Sequence, residues 1–187
     1  MTHWVERLPK IIALQLAIAV AYAPAYRVQA IMPSEPGTET ASILFVPAIL
    51  RVLGTMLSGS LAFIGLFTGS FLVYLQEPHL GPHAWWVAVA SAASAPIAYE
   101  LFMRLGLFDA QPLRTVDTPI VMLFIACYAV TNAGLHMVAL ALLTGGIASH
   151  FPYFAIMVVG DIVPPALGFA VLVAIRHAFR AVRPRRH

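Results

Sequence analysis

Cysteine is nearly missing from this chain. Cys127 is the single one among 187 residues, so neither a disulfide framework nor a cysteine-based zinc or iron–sulfur site can be assembled, and inside an apolar run it reads as a small core residue. Charge is scarce too, with Asp, Glu, Lys and Arg making up 10% of the chain against about 25% in soluble domains. Signature motifs are absent. There is no G-x-x-x-x-G-K-[ST] phosphate loop, no H-E-x-x-H zinc helix, no G-x-S-x-G elbow and no basic face interleaved with aromatics, which removes the usual grounds for nucleotide hydrolysis, zinc proteolysis, serine hydrolysis and nucleic-acid binding. No nucleophile stands out, and the expectation is that the chain is not an enzyme. His79, His83 and His150 fall in loops at a spacing that matches no metal-ligand pattern, so no metal is expected. Nothing points to a particular cofactor.

Apolar residues fill the space that charge leaves. They make up 60% of the chain, and the mean hydropathy is +0.85, which together identify a membrane protein whose first partner is the lipid bilayer. At about 20 apolar residues per helical span, 187 residues give room for one integral membrane domain, 1–187, and no second domain. The fold class is therefore all-α, a polytopic helical bundle. Six spans fit, roughly 10–32, 41–57, 59–75, 84–104, 118–143 and 152–176, ending in a basic tail over 177–187. The first run holds Gln15, Tyr22, Pro24, Tyr26 and Arg27 and lacks a small-x-small exit, so it reads as a retained span rather than a cleaved signal peptide.

Residues 42–75 form one apolar run of 34, which as a single helix would measure about 51 Å against a hydrocarbon core of about 30 Å. It must fold back, and Ser58, Gly59 and Ser60 are the natural turn, giving either two spans or a re-entrant pair. With six spans, Arg7, Lys10, Arg104, Arg114 and the arginines 176, 180, 183, 185 and 186 all fall on one side. The opposite loops, 33–40, 76–83 and 145–151, carry Glu35, Glu39 and Glu77 but no Lys or Arg. The positive-inside rule then predicts cytoplasmic amino and carboxyl ends, as in a multi-pass protein of a bacterial inner membrane. Trp4, Trp85 and Trp86 sit where interfacial anchors belong. Asp117, Thr118 and Pro119 give a helix start signal, whereas Pro24, Pro47, Pro96, Pro164 and Pro165 fall inside predicted spans and predict kinks.

An ionisable group at bilayer depth costs roughly 2.5–3.5 kcal/mol on insertion scales, so each calls for a use or a partner. Asp161 lies ten residues after Phe151, about 15 Å into the last span. Asn132 and His136 lie four apart on one face of the fifth span. Facing one another across two helices, these three would form a polar, ligand-binding site for a small molecule or a proton; read structurally, they would be a hydrogen-bond network tying helices together. Glu100 and Arg104 have the favourable order for a helical ion pair, and Arg51 must snorkel inward or meet an acid such as Glu100, with which it forms a secondary candidate pair. Gly65 and Gly69 form a small-x-x-x-small face for close helix packing.

The segment 43–54, with Pro47, Arg51 and Gly54, followed by Gly59, Gly65 and Gly69, resembles the early helices of the bacterial membrane-associated sensor domain family. Val159, Gly160, Asp161 and Ile162, followed by an apolar run and a basic end, are similar to that family's closing helix. The resemblance covers about a third of the chain. It implies a membrane domain that senses something and signals to a cytoplasmic output, here a separate protein because about eleven residues follow the last predicted span. Size, span number and the glycine-rich second and third helices are also similar to the substrate-binding subunits of energy-coupling-factor transporters, which bind a vitamin or metal and work with separate ATPases. The expectation is a small-ligand binding or sensing module that works with a membrane or cytoplasmic protein partner. The alternatives are a structural or assembly subunit of a larger membrane complex and a proton-coupled carrier of small solutes.

Overall fold

A computed structural model describes residues 2–30, 44–77, 80–109, 117–144 and 151–182. The expectations placed on residues 33–40, on His79, His150 and Arg114, and on Arg183, Arg185 and Arg186 lie outside the described residues. Within them the chain is helical throughout, with α1 Thr2–Ala30, α2 Pro47–Ser58, α3 Ala62–Tyr74, α4 Ala84–Arg104, α5 Thr118–Thr144 and α6 Phe151–Val182. Short 3₁₀ turns, Gly59–Leu61 and Gly81–His83, precede α3 and α4. Five helical stretches are long and apolar enough to cross a membrane: Leu8–Gln29, Pro47–Tyr74, Ala84–Arg104, Thr118–Leu142 and Tyr153–Ile175. The chain is thus a multi-pass helical membrane protein.

The second of those stretches is bent back on itself. Gln29 of α1 accepts from the amide of Val46, Tyr22 meets Arg51, and Ile18 packs on Gly54, so α2 descends as α1 ascends. Beyond the turn the order reverses. Gln15 meets Gly65, Ala19 and Tyr22 meet Gly69, and Tyr26 meets Tyr74, so α3 runs parallel to α1 and antiparallel to α2. The reversal occurs at Gly59, whose φ of 61° lies in the left-handed region that a Cβ disfavours. A Cβ there would also come within 3.3 Å of the Tyr99 ring. One residue earlier, the Ser58 hydroxyl donates to the carbonyl of Gly54, a back-bond that bends helices. With 12 and 13 residues, the two arms measure about 18 and 20 Å. Each is shorter than an ordinary span.

Close approach of α1 and α3 depends on Gly65 and Gly69. A Cβ on Gly65 would lie 2.6 Å from the Gln15 carbonyl oxygen, and one on Gly69 would lie 2.7 Å from the Tyr22 Cβ and 2.9 Å from the Ala19 carbonyl. Small residues at a membrane helix contact let backbones approach and disperse van der Waals energy over both surfaces.

α4 is the central helix. Buried residues make up 61% of its most apolar stretch, against 17% for α1 and 22% for α6. Its small residues explain the position: Ala88, Ala92, Ala95 and Ala98 are almost fully buried and leave room for neighbours on two sides. One side carries Ile18, Tyr22, Leu66 and Val73 of α1 and α3; the other carries Val52, Met56, Phe124 and Tyr128 of α2 and α5. Trp85 and Trp86, at the start of α4, are exposed, as interfacial anchors are. α6 extends to Val182, so the first residues of the expected tail continue the helix rather than leaving it.

A buried arginine–aspartate centre

α2 and α6 carry the only ion pair between described residues. Arg51 Nη1 lies 3.9 Å from Asp161 Oδ1, with the side chains 1% and 2% exposed. At that separation the contact is electrostatic, and a hydroxyl completes it. Tyr128 of α5 accepts from Arg51 Nη1 at 3.4 Å and donates to Asp161 Oδ1 at 3.2 Å. The second carboxylate oxygen accepts from Asn132 Nδ2 at 2.5 Å. Arg51 Nη2 donates to the Tyr22 hydroxyl at 2.7 Å and to the Ser91 hydroxyl, and those two hydroxyls bond each other at 3.2 Å. Tyr74 donates to Ser91 at 3.5 Å. The guanidinium also lies 4.7 Å from the centre of the Phe45 ring, within cation–π range. All six described helices contribute a polar group to this one network.

The double proline accounts for how α2 reaches α6. In a helix the amide of Pro164 would bond the carbonyl of Gly160, but proline has no N–H. That carbonyl instead accepts from the amide of Phe45 at 3.1 Å. Phe45 lies just before α2, where the leading amides of a helix have no partner of their own. Proline in one helix and a helix start in the other therefore complete each other's backbone bonding, and Arg51 is set down six residues past Phe45.

Of the three residues expected to converge, Asp161 and Asn132 are bonded. His136 is buried but points elsewhere. Its Nδ1 lies 2.9 Å from the backbone oxygen of Asn132, and since a carbonyl only accepts, Nδ1 carries the proton. The expected Glu100–Arg51 pair is not formed. Glu100 is exposed and takes a hydrogen bond from Ser60 at the turn end of the hairpin, whereas Arg51 lies nearly two turns from that end, where Asp161 is within reach. Arg104 is exposed as well, and the expected Glu100–Arg104 ion pair is absent among the described residues, for which Arg51 and Asp161 form the one pair.

Tyr22, Tyr128, Ser91 and Tyr74 were not anticipated. A signal for Tyr128 exists, since Tyr128, Asn132 and His136 recur every four residues along one face of α5. Tyr22, fully buried on the most lipid-exposed helix, carries no such pattern. Two buried atoms of the centre have no hydrogen-bond partner, the donor Arg51 Nε and the acceptor Asn132 Oδ1; Thr55 Oγ1, one turn beyond Arg51, is a third. Unpaired buried polar atoms cost about 1–3 kcal/mol each, and here two of them flank a full charge pair. The centre offers a spare donor, a spare acceptor and two opposite charges. Comparison with protein-family models, with curated proteins and with solved structures gave no match.

Proposed function

We infer that the chain is a membrane-embedded binding or sensing module, without catalytic activity of its own, that acts through a protein partner. Its responsive element is the Arg51–Asp161 centre. One observation carries the reading: a buried ion pair shared by all six helices still holds an unused donor on Arg51 and an unused acceptor on Asn132. Replacing a buried pair with apolar residues is often neutral or stabilising, so structural need alone explains an unfinished one poorly. A small polar ligand offering an acceptor and a donor would complete the bonding and change the balance between helices. The resemblance of the segments around Arg51 and Asp161 to bacterial membrane-associated sensor domains agrees with this role. So does the separation of basic and acidic loops, which supports six crossings with both ends cytoplasmic in a bacterial inner membrane.

The test is native purification in mild detergent, with mass spectrometry of bound small molecules and thermal unfolding during ligand screening. The expected outcome is a bound or stabilising polar molecule whose effect is lost in Asn132→Ala. A bare monomer that no small molecule stabilises removes the reading. The competing role, a subunit whose polar residues merely knit helices inside a larger complex, is favoured by one fact: both Asp161 oxygens are already bonded within the chain. Co-purification with a large complex, and no ligand, would establish it. Uptake driven by a pH gradient and abolished by Asp161→Asn would instead mark a carrier.

A further inference from the structure

A groove of about 430 Å³ runs along the lipid-facing side of α4, lined by Phe63, Ala93, Pro96, Ile97, Glu100, Leu101 and Arg104. Six of these residues recur at helical spacing along one stripe of α4. Their chemistry is graded. The deep part is apolar, and both polar side chains, Glu100 and Arg104, occupy the last turn and a half, at the end of the stretch apolar enough to cross a membrane. We propose that this groove binds a phospholipid with a primary-amine headgroup, the acyl chain lying along Ala93 and Ile97, the phosphate against Arg104 and the ammonium against Glu100.

Charge complementarity selects that occupant. Glu100 and Arg104 have the order and spacing that favour a mutual ion pair, yet they do not pair. Ser60 instead holds the carboxylate toward α3, which leaves an anion and a cation side by side at the mouth of an apolar channel. An anionic lipid would satisfy Arg104 and be repelled by Glu100. A choline headgroup would bring a cation with no N–H to donate, whereas an ammonium donates up to three hydrogen bonds and so matches a carboxylate. A zwitterion with a primary amine neutralises both side chains.

The experiment uses the full chain, delipidated in mild detergent and titrated with dioleoyl phosphatidylethanolamine, phosphatidylcholine or phosphatidylglycerol, with bound lipid counted by native mass spectrometry. The ethanolamine lipid should bind at least about tenfold more tightly than either other lipid, and Glu100→Gln should remove that preference over choline. Arg104→Gln should weaken all three. Ala93→Phe, which fills the deep end, should prevent retention, with unchanged lipid-free thermal unfolding as the folding control. Equal binding of ethanolamine and choline lipids, preference for the glycerol lipid, or a co-purifying protein that excludes lipid from the groove would each overturn the proposal. None of these outcomes depends on the Arg51–Asp161 centre, which lies on the other side of α4.

Discussion

At the residue scale the molecule turns on how Arg51 is neutralised. Removing one member of a buried pair leaves the other uncompensated and costs about 3–5 kcal/mol. Arg51→Leu and Asp161→Leu are each expected to lower the unfolding temperature sharply, and the double variant should recover most of the loss because no charge is left stranded. Thermal unfolding in detergent checks this as a double-mutant cycle, and additive losses would contradict the coupling. Tyr128→Phe removes the hydroxyl between the two charges and leaves the ring; the expected loss is about 1–3 kcal/mol, smaller than either charge deletion. Much of this was legible in the sequence. Asp161 and Arg51 stand out as charges in apolar runs, and the step from Asp161 to Asn132 follows from depth. The partner of Arg51 was misjudged because depth along one helix does not say which neighbour it faces: Glu100 lies on the helix packed most centrally, but at the wrong end of it. Tyrosines are ordinary in membrane helices and carry no signal of their own; only the packing turns two of their hydroxyls, with that of Ser91, onto one guanidinium.

At the element scale two backbone devices fix the architecture. The hairpin depends on the left-handed φ of Gly59, so Gly59→Ala is expected to be destabilising through strain and through the Tyr99 ring beside it, by about 1–2 kcal/mol. Gly69→Leu should do more, because backbone as well as side chain stands in the way. It would push α1 from α3 and draw Tyr22 away from Arg51, so its loss should shrink in an Arg51→Leu background. The fold-back was legible because a 34-residue apolar run exceeds the bilayer, and Gly59 marked the place. Arm length was not: helix ends are set by local bonding, and α2 begins only at Pro47, since Phe45 spends its amide on α6. Pro164→Ala tests that junction. It would restore a donor for the Gly160 carbonyl, free the Phe45 amide and loosen the start of α2, visible as faster hydrogen exchange at residues 45–50.

At the scale of the whole molecule, α4 separates two apolar cores and the ion pair joins them. One core packs α1 and α3 on α4, and the other packs α2 and α5. Arg51 reaches Tyr22 and Ser91 with one nitrogen and Tyr128 with the other, so a change at this point is felt in both halves. Under the proposed binding role, a ligand should protect α1 and α5 together in hydrogen exchange. Single-sided protection would speak for two independent halves. The all-helical, membrane-spanning class follows from long apolar runs and a charge content far below the soluble average, whereas the arrangement of helices around α4 depends on alanine faces that sequence periodicity alone does not rank.

The acid that neutralises Arg51 lies on α6, which is made after the other five described helices. From the making of α2 until that of α6, the Arg51 guanidinium has only hydroxyls and a phenyl face for company. Chains halted after α5 should therefore be retained by the insertion machinery or degraded, and pulse-labelling of a version ending near residue 145 would reveal it. Chains that contain α6 would then be told from those that lack it by the neutralisation of a single charge.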